Sequence, residues 1–285
     1  MQIKRQPIYL NGFKAAREIT RQNAKSFYFA SKFLPYHQRN AVYSVYAICR
    51  KSDDSVDVPE NSEYSLKDIE KTIGSVYSGN NICNPVVAAF KHTVDKYRIP
   101  AEWFNELLKG MNMDLKINRY ENFKDLYGYC YRVAGVVGLI MLKIFGYKDK
   151  RAEKYAVKLG IAMQLTNILR DIKEDYARGR IYIPLDEMAR FKVSQDHISQ
   201  SKLDENMANL IRYQINRARE YYAEAAKGIK MISGRSCRLT TAVMKNIYSG
   251  ILDSIEKNNY DIYSHRAFVP AYKKAAITAK TFLNL

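Results

Sequence analysis

Apolar residues recur with a helical period along almost the whole chain of 285 residues. Proline and asparagine mark several helix starts. Pro35 precedes a long periodic stretch that runs to an acidic cluster near Asp57, Asn84 stands before Pro85 as an N-cap before a first-turn proline, and Pro100 opens a further segment. From Pro100 onward the pattern predicts helices over residues 101–117, 123–146, 149–176, 202–232, 236–257 and 265–283.

Few segments interrupt this pattern. Breaks are predicted at residues 58–62, 78–81 and 178–180, and residues 180–184 (Arg-Ile-Tyr-Ile-Pro) alone have strand character, which Pro184 cuts short. With 13 glycines and 7 prolines, the chain has too few turn signals for an all-β sandwich or barrel. No repeat, low-complexity tract or linker divides it. We therefore predict a single all-α domain over residues 1–285.

Composition excludes several classes of protein. No apolar run reaches the roughly 18–20 residues of a membrane span, since the longest, residues 133–146, is shorter and carries Lys143. The N-terminus lacks the apolar segment of a signal peptide. Four cysteines and four histidines lie far apart without CxxC or HxxxH spacing, which argues against zinc, haem and a disulfide framework. These features predict a soluble, cytoplasmic protein.

The charge of the chain calls for a polyanionic partner. Lys and Arg number 46 against 29 Asp and Glu, so the formal net charge is +17. Nucleic acid, an anionic membrane surface and a phosphate-bearing substrate would each match it. The basic residues are spread through the chain and no nucleic-acid-binding motif is present. We therefore expect no nucleic-acid partner.

A first aspartate motif lies at the end of the helix that follows Pro35. Tyr43, Tyr46, Arg50, Asp53 and Asp57 fall within an arc of about 80° on one helix face. Carboxylates one turn apart repel each other by a few tenths of a kcal/mol, so helix stability does not call for them. Taken alone, such a pair more often marks a solvated acidic helix end than a functional site.

A second polar stripe strengthens the functional interpretation. Gln164, Asn167, Asp171 and Asp175 recur at spacings of three, four and four and share one face of the predicted helix. Upstream, the same face is small and apolar. Asn and Asp are mediocre helix formers, yet they occupy predicted mid-helix positions. The predicted helix thus has an apolar first half and a second half that carries side chains with oxygen ligands.

Two such helices facing each other would gather about four carboxylates and an amide oxygen, a set that suits Mg²⁺, with Mn²⁺ as an alternative. Arg50, Arg170 and Arg180 stand near these residues in sequence, and guanidinium groups match phosphate oxygens. Together with the apolar helix face, this combination predicts a substrate with a diphosphate head and a hydrocarbon tail.

Residues 127–138 form a third segment of interest. Ala134 and Gly138 lie one turn apart with Gly135 between them, and glycine inside a helix costs up to about 1 kcal/mol relative to alanine. The glycines therefore indicate close approach by another helix or by a ligand. The segment also offers three tyrosines that could reach a phosphate, and the spacing gives no preference among them: Tyr127, Tyr129 and Tyr131.

These motifs resemble those of the squalene/phytoene synthase family. Residues 49–57 are similar to its first aspartate-rich motif, and residues 167–175 with 180–184 to its second. Further similar segments are residues 26–30, Leu34 and Pro35, the Tyr131-x-x-Ala-Gly-x-x-Gly138 stretch, and a tail with Tyr248, residues 259–262 and Arg266. They span about residues 20 to 270 in the family's order. The resemblance implies an all-α isoprenoid synthase fold, a helical bundle around a central cavity.

The resemblance also implies roles for individual residues. The metal ligands would be Asp53, Asp57, Asn167, Asp171 and Asp175. The substrate-binding residues would be Ser26, Phe27, Arg50, Tyr131, Gln164, Arg170, Arg180, Tyr248 and Arg266. Among these, Tyr131, Arg50 and Arg170 are expected to act in catalysis.

The implied reaction is the head-to-head condensation of two farnesyl or geranylgeranyl diphosphates. It runs through a cyclopropylcarbinyl diphosphate to a C30 or C40 hydrocarbon of the dehydrosqualene or phytoene type. Mg²⁺ and arginines would stabilise the departing diphosphate, and apolar walls would keep water from the allylic cations. Diphosphate or a nearby tyrosine would accept the proton.

Two alternatives stay open at this point. An NADPH-dependent squalene synthase shares these motifs, and the lack of a dinucleotide fingerprint does not separate it, because reductive members of the family lack one too. A catalytically inactive helical scaffold of the same fold is disfavoured, because both aspartate motifs are intact. The remaining positive charge predicts peripheral association with the inner face of an anionic membrane. The sequence does not determine the oligomeric state.

Overall fold

The computed structural model describes residues 7–57, 60, 62–79 and 82–285, and over these ranges the chain folds as α-helices joined by short loops. No strand forms among the described residues, where strand-like pairing is limited to two isolated bridges. A π-helical turn, Tyr131–Gly135, joins α7 to α8. The helices are α1 (Ile8–Asn23), α2 (Lys25–Ser31), α3 (Tyr36–Asp57), α4 (Leu66–Tyr77), α5 (Pro85–Tyr97), α6 (Ala101–Lys116), α7 (Phe123–Cys130), α8 (Val136–Phe145), α9 (Ala152–Arg170), α10 (Ile172–Ala177), α11 (Leu185–Arg190), α12 (Gln195–Ser199), α13 (Glu205–Ile229), α14 (Arg235–Lys257) and α15 (Ala271–Leu283).

The predicted helix starts are confirmed. The Asn84 side chain accepts hydrogen bonds from the backbone N–H groups of Val86 and Val87, and Pro85 occupies the first turn of α5. The helix after Pro35 ends at Asp57, as predicted. The strand character of residues 180–184 is limited to one parallel bridge between Ile181 and Arg119. The predicted break at residues 58–62 includes positions 58, 59 and 61, which lie outside the described residues, as do 80 and 81.

Two predicted helices differ from the structure. The segment 149–176 is interrupted at Asp171, whose backbone (φ −111°, ψ 17°) leaves the helical region between α9 and α10. Asp is a weak helix former, and the Asp171 carboxylate is held instead by arginine side chains. The segment 265–283 becomes helical only at Ala271, because Pro270 disfavours a helical residue before it. Five further helices, α1, α2, α4, α11 and α12, fall outside the predicted segments.

The core consists of two clusters of buried apolar side chains. One surrounds α9, which packs against α13, α14 and the α7–α8 segment. The other lies among α3, α5, α6 and α8, with α1 covering α3 and α5. The continuous helical stretch Phe123–Phe145 is long and apolar enough to cross a membrane by length and composition alone. It packs against α6 and α9 inside the bundle, in the manner of a core helix.

Close packing of α9 on the π-helical turn and on α8 explains two of the glycines. A Cβ atom at Gly138 would lie 2.3 Å from the carbonyl oxygen of Ala156, and one at Gly160 would lie 2.2 Å from the carbonyl oxygen of Ala134. No residue with a side chain fits at either contact without moving backbone. Close approach by a helix, one of the two readings of the glycine pattern, is therefore what the structure shows, and it sets the spacing of two walls of the site.

Candidate active site

One cavity of about 940 Å³ lies between the two core clusters. Its walls are supplied by segments from the end of α1 to the start of α15. Thirteen of the fourteen residues predicted for the site line this cavity, and Tyr131 alone does not. The thirteen are Ser26, Phe27, Arg50, Asp53, Asp57, Gln164, Asn167, Arg170, Asp171, Asp175, Arg180, Tyr248 and Arg266.

The first aspartate motif forms one side of the polar end of the cavity. Tyr46, Arg50, Asp53 and Asp57 of α3 line it, one turn after another. Tyr43, predicted on the same face, is instead fully buried and bonded to the Ser31 hydroxyl at 3.0 Å. The Arg50 guanidinium pairs with the carboxylate of the following turn, at 2.6 Å between Nη2 and Oδ1 of Asp54.

Arginines join the first motif to the second. The Nη1 atom of Arg180 donates to Oδ1 of Asp57 at 2.5 Å, and its Nη2 donates to the backbone carbonyl of Val56 at 3.1 Å. Arg178 Nη1 lies 3.8 Å from a carboxylate oxygen of Asp57 and 3.8 Å from one of Asp175. Two motifs more than a hundred residues apart in sequence thus meet across one cluster of charges.

Asp171 is held from two sides. Arg170 donates through Nε and Nη2 at 2.8 and 2.5 Å, and Arg266 donates through Nε and Nη2 at 2.8 and 3.1 Å. Burial by itself would raise the pKa of Asp171, but the hydrogen bonds and charges of the two arginines outweigh it and hold that pKa below its ordinary value. The carboxylate is therefore ionised at neutral pH.

The pKa values of Asp53 and Asp175 are raised, in contrast to that of Asp171. Burial, followed by the charge of Asp57, raises the pKa of Asp53 to about 7. Burial, followed by the charge of Asp171, raises the pKa of Asp175 to about 7. In both cases the larger cause is burial, which disfavours the charged form, and the charge of a neighbouring carboxylate adds to it.

The donor set of the site fits a hard divalent cation. Its ligand atoms are carboxylate and amide oxygens, which Mg²⁺ prefers, and neighbouring carboxylates lie close enough to raise the pKa values of Asp53 and Asp175. With the side chains as they stand, no three acidic, histidine or cysteine groups of the described residues are close enough to hold a metal. Arg178 and Arg180 occupy the space between the motifs instead.

A buried polar triad that the sequence pattern does not predict lies in the same cavity. Asp114 of α6 accepts hydrogen bonds from the hydroxyls of Tyr129 at 3.0 Å and Tyr182 at 2.7 Å. Burial raises the pKa of Asp114, although both tyrosines and Arg180 act against the rise. A single acid near the end of a helix carries no periodic signal, and its two tyrosines are far away in sequence. The available sequence signals for this triad are two tyrosines, Tyr129 next to Cys130 and Tyr182 in the Arg-Ile-Tyr-Ile-Pro segment.

Tyr129, rather than Tyr131, is the tyrosine of its segment that reaches the cavity. Tyr131 begins the π-helical turn, and its ring lies against Gly135, where an added Cβ would be 3.1 Å from Cδ2 of the ring. Within this wide turn, Val133 and Ala134 face the cavity. The expectation that Tyr131 contacts diphosphate is not supported by this placement.

The remaining walls of the cavity are apolar. The predicted small, apolar half of α9 lines it with Ala156, Leu159, Gly160 and Met163. At the entrance from α2, the Phe27 ring packs on Tyr46 with centroids 5.6 Å apart. Further apolar lining comes from Val133, Ala134, Val137, Gly138, Met141, Leu142, Phe145, Ile229, Ile232, Met244 and Ile251. The cavity therefore has a charged end and a long hydrocarbon-compatible end.

An all-α bundle around a cavity of this kind has the isoprenoid synthase fold, as predicted. The Squalene/phytoene synthase family profile matches residues 20–273. The chain belongs to the squalene/phytoene synthase family, and it is a prenyltransferase of that type.

Relatives with assigned names support this placement. The chain is 38% identical to the phytoene synthase of Arthrospira platensis, over 93% of this chain and 90% of the relative. It is 35% identical to the 15-cis-phytoene synthase of Synechococcus elongatus, over 92% and 89%. Among solved structures, a dehydrosqualene synthase in complex with ligand superposes with a TM-score of 0.90 at 32% identity, covering 97% of each chain. The squalene synthase HpnC from Alicyclobacillus acidocaldarius gives a TM-score of 0.80 at 26% identity, over 90% and 98%.

Proposed function

We propose that this protein is a Mg²⁺-dependent phytoene synthase that joins two geranylgeranyl diphosphates head to head into a C40 hydrocarbon without NADPH. The observation that carries the proposal is the cavity itself. Both aspartate motifs and five arginines converge at one end, and most of the remaining wall is apolar. A prenyl diphosphate has the same division into a charged head and a hydrocarbon tail.

The choice of substrate rests on the relatives. Sequences that are 34–38% identical over most of this chain are named phytoene synthases. A phytoene synthase uses the C20 diphosphate and does not reduce its product. The dehydrosqualene synthase superposition, at a TM-score of 0.90, supports farnesyl diphosphate as the second candidate substrate.

The arginines would bind the diphosphate groups. Arg170 and Arg266 already present their Nε and Nη2 atoms in pairs to Asp171, in the fork geometry that also matches phosphate oxygens. Burial raises the pKa of Tyr248, with the charge of Arg170 acting against the rise, so the phenol stays protonated and can donate to a phosphate oxygen. These residues stabilise the negative charge that grows on the leaving diphosphate.

Asp53, Asp57, Asn167, Asp171 and Asp175 are the residues that would hold Mg²⁺, which supplies further positive charge to the leaving diphosphate. The apolar walls exclude water from the allylic cation, so that the double bond of the second substrate captures it to give the cyclopropylcarbinyl diphosphate. Formation of the cyclopropane releases one proton. Loss of the second diphosphate, rearrangement and release of a second proton then yield the linear hydrocarbon. The diphosphate released in each half of the reaction, held by the arginines, would accept the proton of that half.

The whole chain is proposed to form this one catalytic domain, because the residues that line the cavity run from Gln22 to Lys274. It is proposed to act in the cytoplasm, with peripheral association to the membrane that its apolar product enters. The +17 net charge supports an anionic membrane surface as the place of that association.

Mass spectrometry of hydrocarbons formed from each substrate tests the proposal. Geranylgeranyl diphosphate with Mg²⁺ should give a C40 hydrocarbon in the absence of NADPH, at a rate above that of C30 formation from farnesyl diphosphate. Asp53→Ala and Asp171→Ala should abolish turnover while circular dichroism shows native helicity. A reduced product formed only with NADPH, or turnover retained in either variant, would contradict the proposal.

A further inference from the structure

The last helix of the chain leaves an apolar face uncovered. α15 packs on α14 through Thr281, whose hydroxyl accepts a hydrogen bond from the Asn246 amide at 2.8 Å, and through Ile277 beside Gly250. On the opposite side, Tyr272, Ala276, Ala279 and Leu283 follow one another at helical spacing, and all four are exposed. Tyr272 is 70% and Leu283 83% exposed, and Phe282 flanks them at 53%. Here we call Tyr272, Ala276, Ala279, Phe282 and Leu283 the α15 face.

Exposed aromatic and aliphatic side chains on one helix face usually mark an interaction surface. Helix packing on α14 already stabilises α15, so the α15 face is not needed for folding. A Tyr, a Phe and a Leu on the outer face of an amphipathic helix are typical of helices that lie at a lipid interface.

The charge around the α15 face has a single sign. Residues 262–285 contain Arg266, Lys273, Lys274 and Lys280 and no acidic residue. Viewed down the axis of α15, Lys273 and Lys280 both lie on the same side of the α15 face, about 80–100° from its centre. No acidic side chain of the described residues lies within 4 Å of any of the three lysines. Arg235, over the Phe282 ring at 5.2 Å, adds another cation.

The α15 face adjoins the opening of the cavity. Phe268, just before α15, lines the cavity and is 66% exposed, so the cavity wall continues onto the surface there. Lys274, in the first turn of α15, also lines the cavity, and its pKa is lowered by burial and then by the charge of Lys25. The entrance is thus framed by cations and by an exposed aromatic ring.

We propose that the α15 face and its lysines dock this protein on an anionic lipid bilayer, with the cavity opening turned toward the lipid. The α15 side chains enter the interfacial region, and Lys273 and Lys280 contact lipid phosphates. This inference deepens the proposed function and rests on it, because it gives apolar prenyl chains a path between cavity and bilayer that avoids water. Exposure of a prenyl chain to water costs about 25 cal/mol per Å² of apolar surface.

Sedimentation with vesicles tests the docking surface. Wild-type protein should bind vesicles of phosphatidylcholine and phosphatidylglycerol and bind vesicles of phosphatidylcholine alone much less. Lys273→Glu with Lys280→Glu should weaken binding at least about 25-fold, from about fivefold for each lysine lost near an anionic surface. The control, Lys67→Glu with Lys71→Glu on the exposed side of α4, changes the net charge equally and should leave binding near the wild-type value. Tyr272→Ser with Phe282→Ser and Leu283→Ser should also weaken it, against a Leu203→Ser control.

Activity with substrate in detergent micelles separates this inference from the proposed function. None of the substituted residues lines the cavity, so all variants should condense micellar substrate at the wild-type rate, and only turnover on vesicles should fall. Inactive wild-type protein in micelles would contradict the proposed function and leave vesicle binding as the test of docking. Equal vesicle binding by the α15 variants and their controls would overturn the docking surface. A dimer that these substitutions convert to a monomer, with vesicle binding unchanged, would also overturn it, because a second copy would then cover the face.

Discussion

Adding one methyl group at Gly160 tests whether the crossing of α8 and α9 sets the shape of the cavity. In Gly160→Ala the new Cβ would lie 2.2 Å from the oxygen and 2.6 Å from the carbon of the Ala134 carbonyl, and 3.0 Å from the backbone nitrogen of Gly135. All three are backbone atoms, so no side-chain rotation relieves the contact. The two helices must move apart by about 1 Å to reach ordinary contact distance.

The expected cost follows from these distances. Overpacking of a well-packed helix contact costs about 1–3 kcal/mol, and the better helix propensity of alanine returns about 0.5–1 kcal/mol. The free energy of unfolding should therefore fall by about 1 kcal/mol and by no more than about 2.5 kcal/mol, and each kcal/mol lowers Tm by about 2–4 °C in a protein of this size. Gln164 and Asn167 lie farther along α9, so kcat should fall too, by up to about 100-fold for a displacement of 1 Å.

Gly74→Ala is the matched control. Gly74 lies within α4, is exposed, and has no atom within 4 Å of an added Cβ. The same substitution should therefore raise stability by about 0.5–1 kcal/mol and leave kcat unchanged. Thermal melts by circular dichroism at one scan rate, with turnover of micellar substrate, measure both variants. Shifts of the same sign in the two variants, or an unchanged kcat in Gly160→Ala, would refute the packing argument.

Three further predictions concern buried charges. The pKa of Asp53 is about 7 in the folded state and 3.8 ordinarily, so the folded chain keeps a proton that the unfolded chain releases, and the stability that this proton gives is lost as pH rises from 3.8 to about 7. In EDTA at pH 8, Asp53→Asn should therefore melt at a higher temperature than wild type, with a smaller difference at pH 5.5. Equal differences in melting temperature at both pH values would contradict that pKa. Glu187 pairs with the buried guanidinium of Arg217 and accepts a hydrogen bond from the Gln214 amide. Glu187→Ala should therefore lose about 3–5 kcal/mol of stability in urea titrations, with KM unchanged. A lowered KM or an unaltered urea midpoint would show that the pair does not act as described. Asp114→Asn removes the charged acceptor that Tyr129 and Tyr182 share. This change should lower kcat at least about tenfold while circular dichroism shows retained helicity. A wild-type kcat in this variant would exclude the triad from the active site.

Local sequence signals predicted most of the fold. Helical periodicity and the prolines at the starts of α3, α5 and α6 mark elements whose apolar faces are long enough to be recognised without tertiary information. The break at Asp171 could not be read in this way, because it depends on the two arginines that hold the carboxylate, and one of them, Arg266, is 95 residues away. The start of α15 was misplaced for a simpler reason, since the effect of Pro270 on the residues before it was not taken into account.

The residues of the candidate site also divide into those that local sequence signals predict and those that only tertiary contacts bring into the cavity. The residues of both motifs that are proposed to hold metal and diphosphate form periodic stripes, and all of them line the cavity. The spacing gives no preference among the three tyrosines of residues 127–131, and Tyr131 is expected only from the family resemblance, whereas the structure places Tyr129 in the cavity and Tyr131 at the start of the π-helical turn. Asp114 has no repeating neighbour on its own helix; the hydrogen bonds that make it part of the site come from α7 and from the loop before α11.

The central claim is that the two aspartate motifs act together on two prenyl diphosphates in one cavity. The most direct test is the stoichiometry of the reaction with geranylgeranyl diphosphate and Mg²⁺, measured as released diphosphate and extracted hydrocarbon in the same sample. We predict two diphosphates for every C40 hydrocarbon, with both lost together in Asp53→Ala and in Asp171→Ala. Diphosphate release accompanied by geranylgeraniol instead of a C40 hydrocarbon would contradict the account.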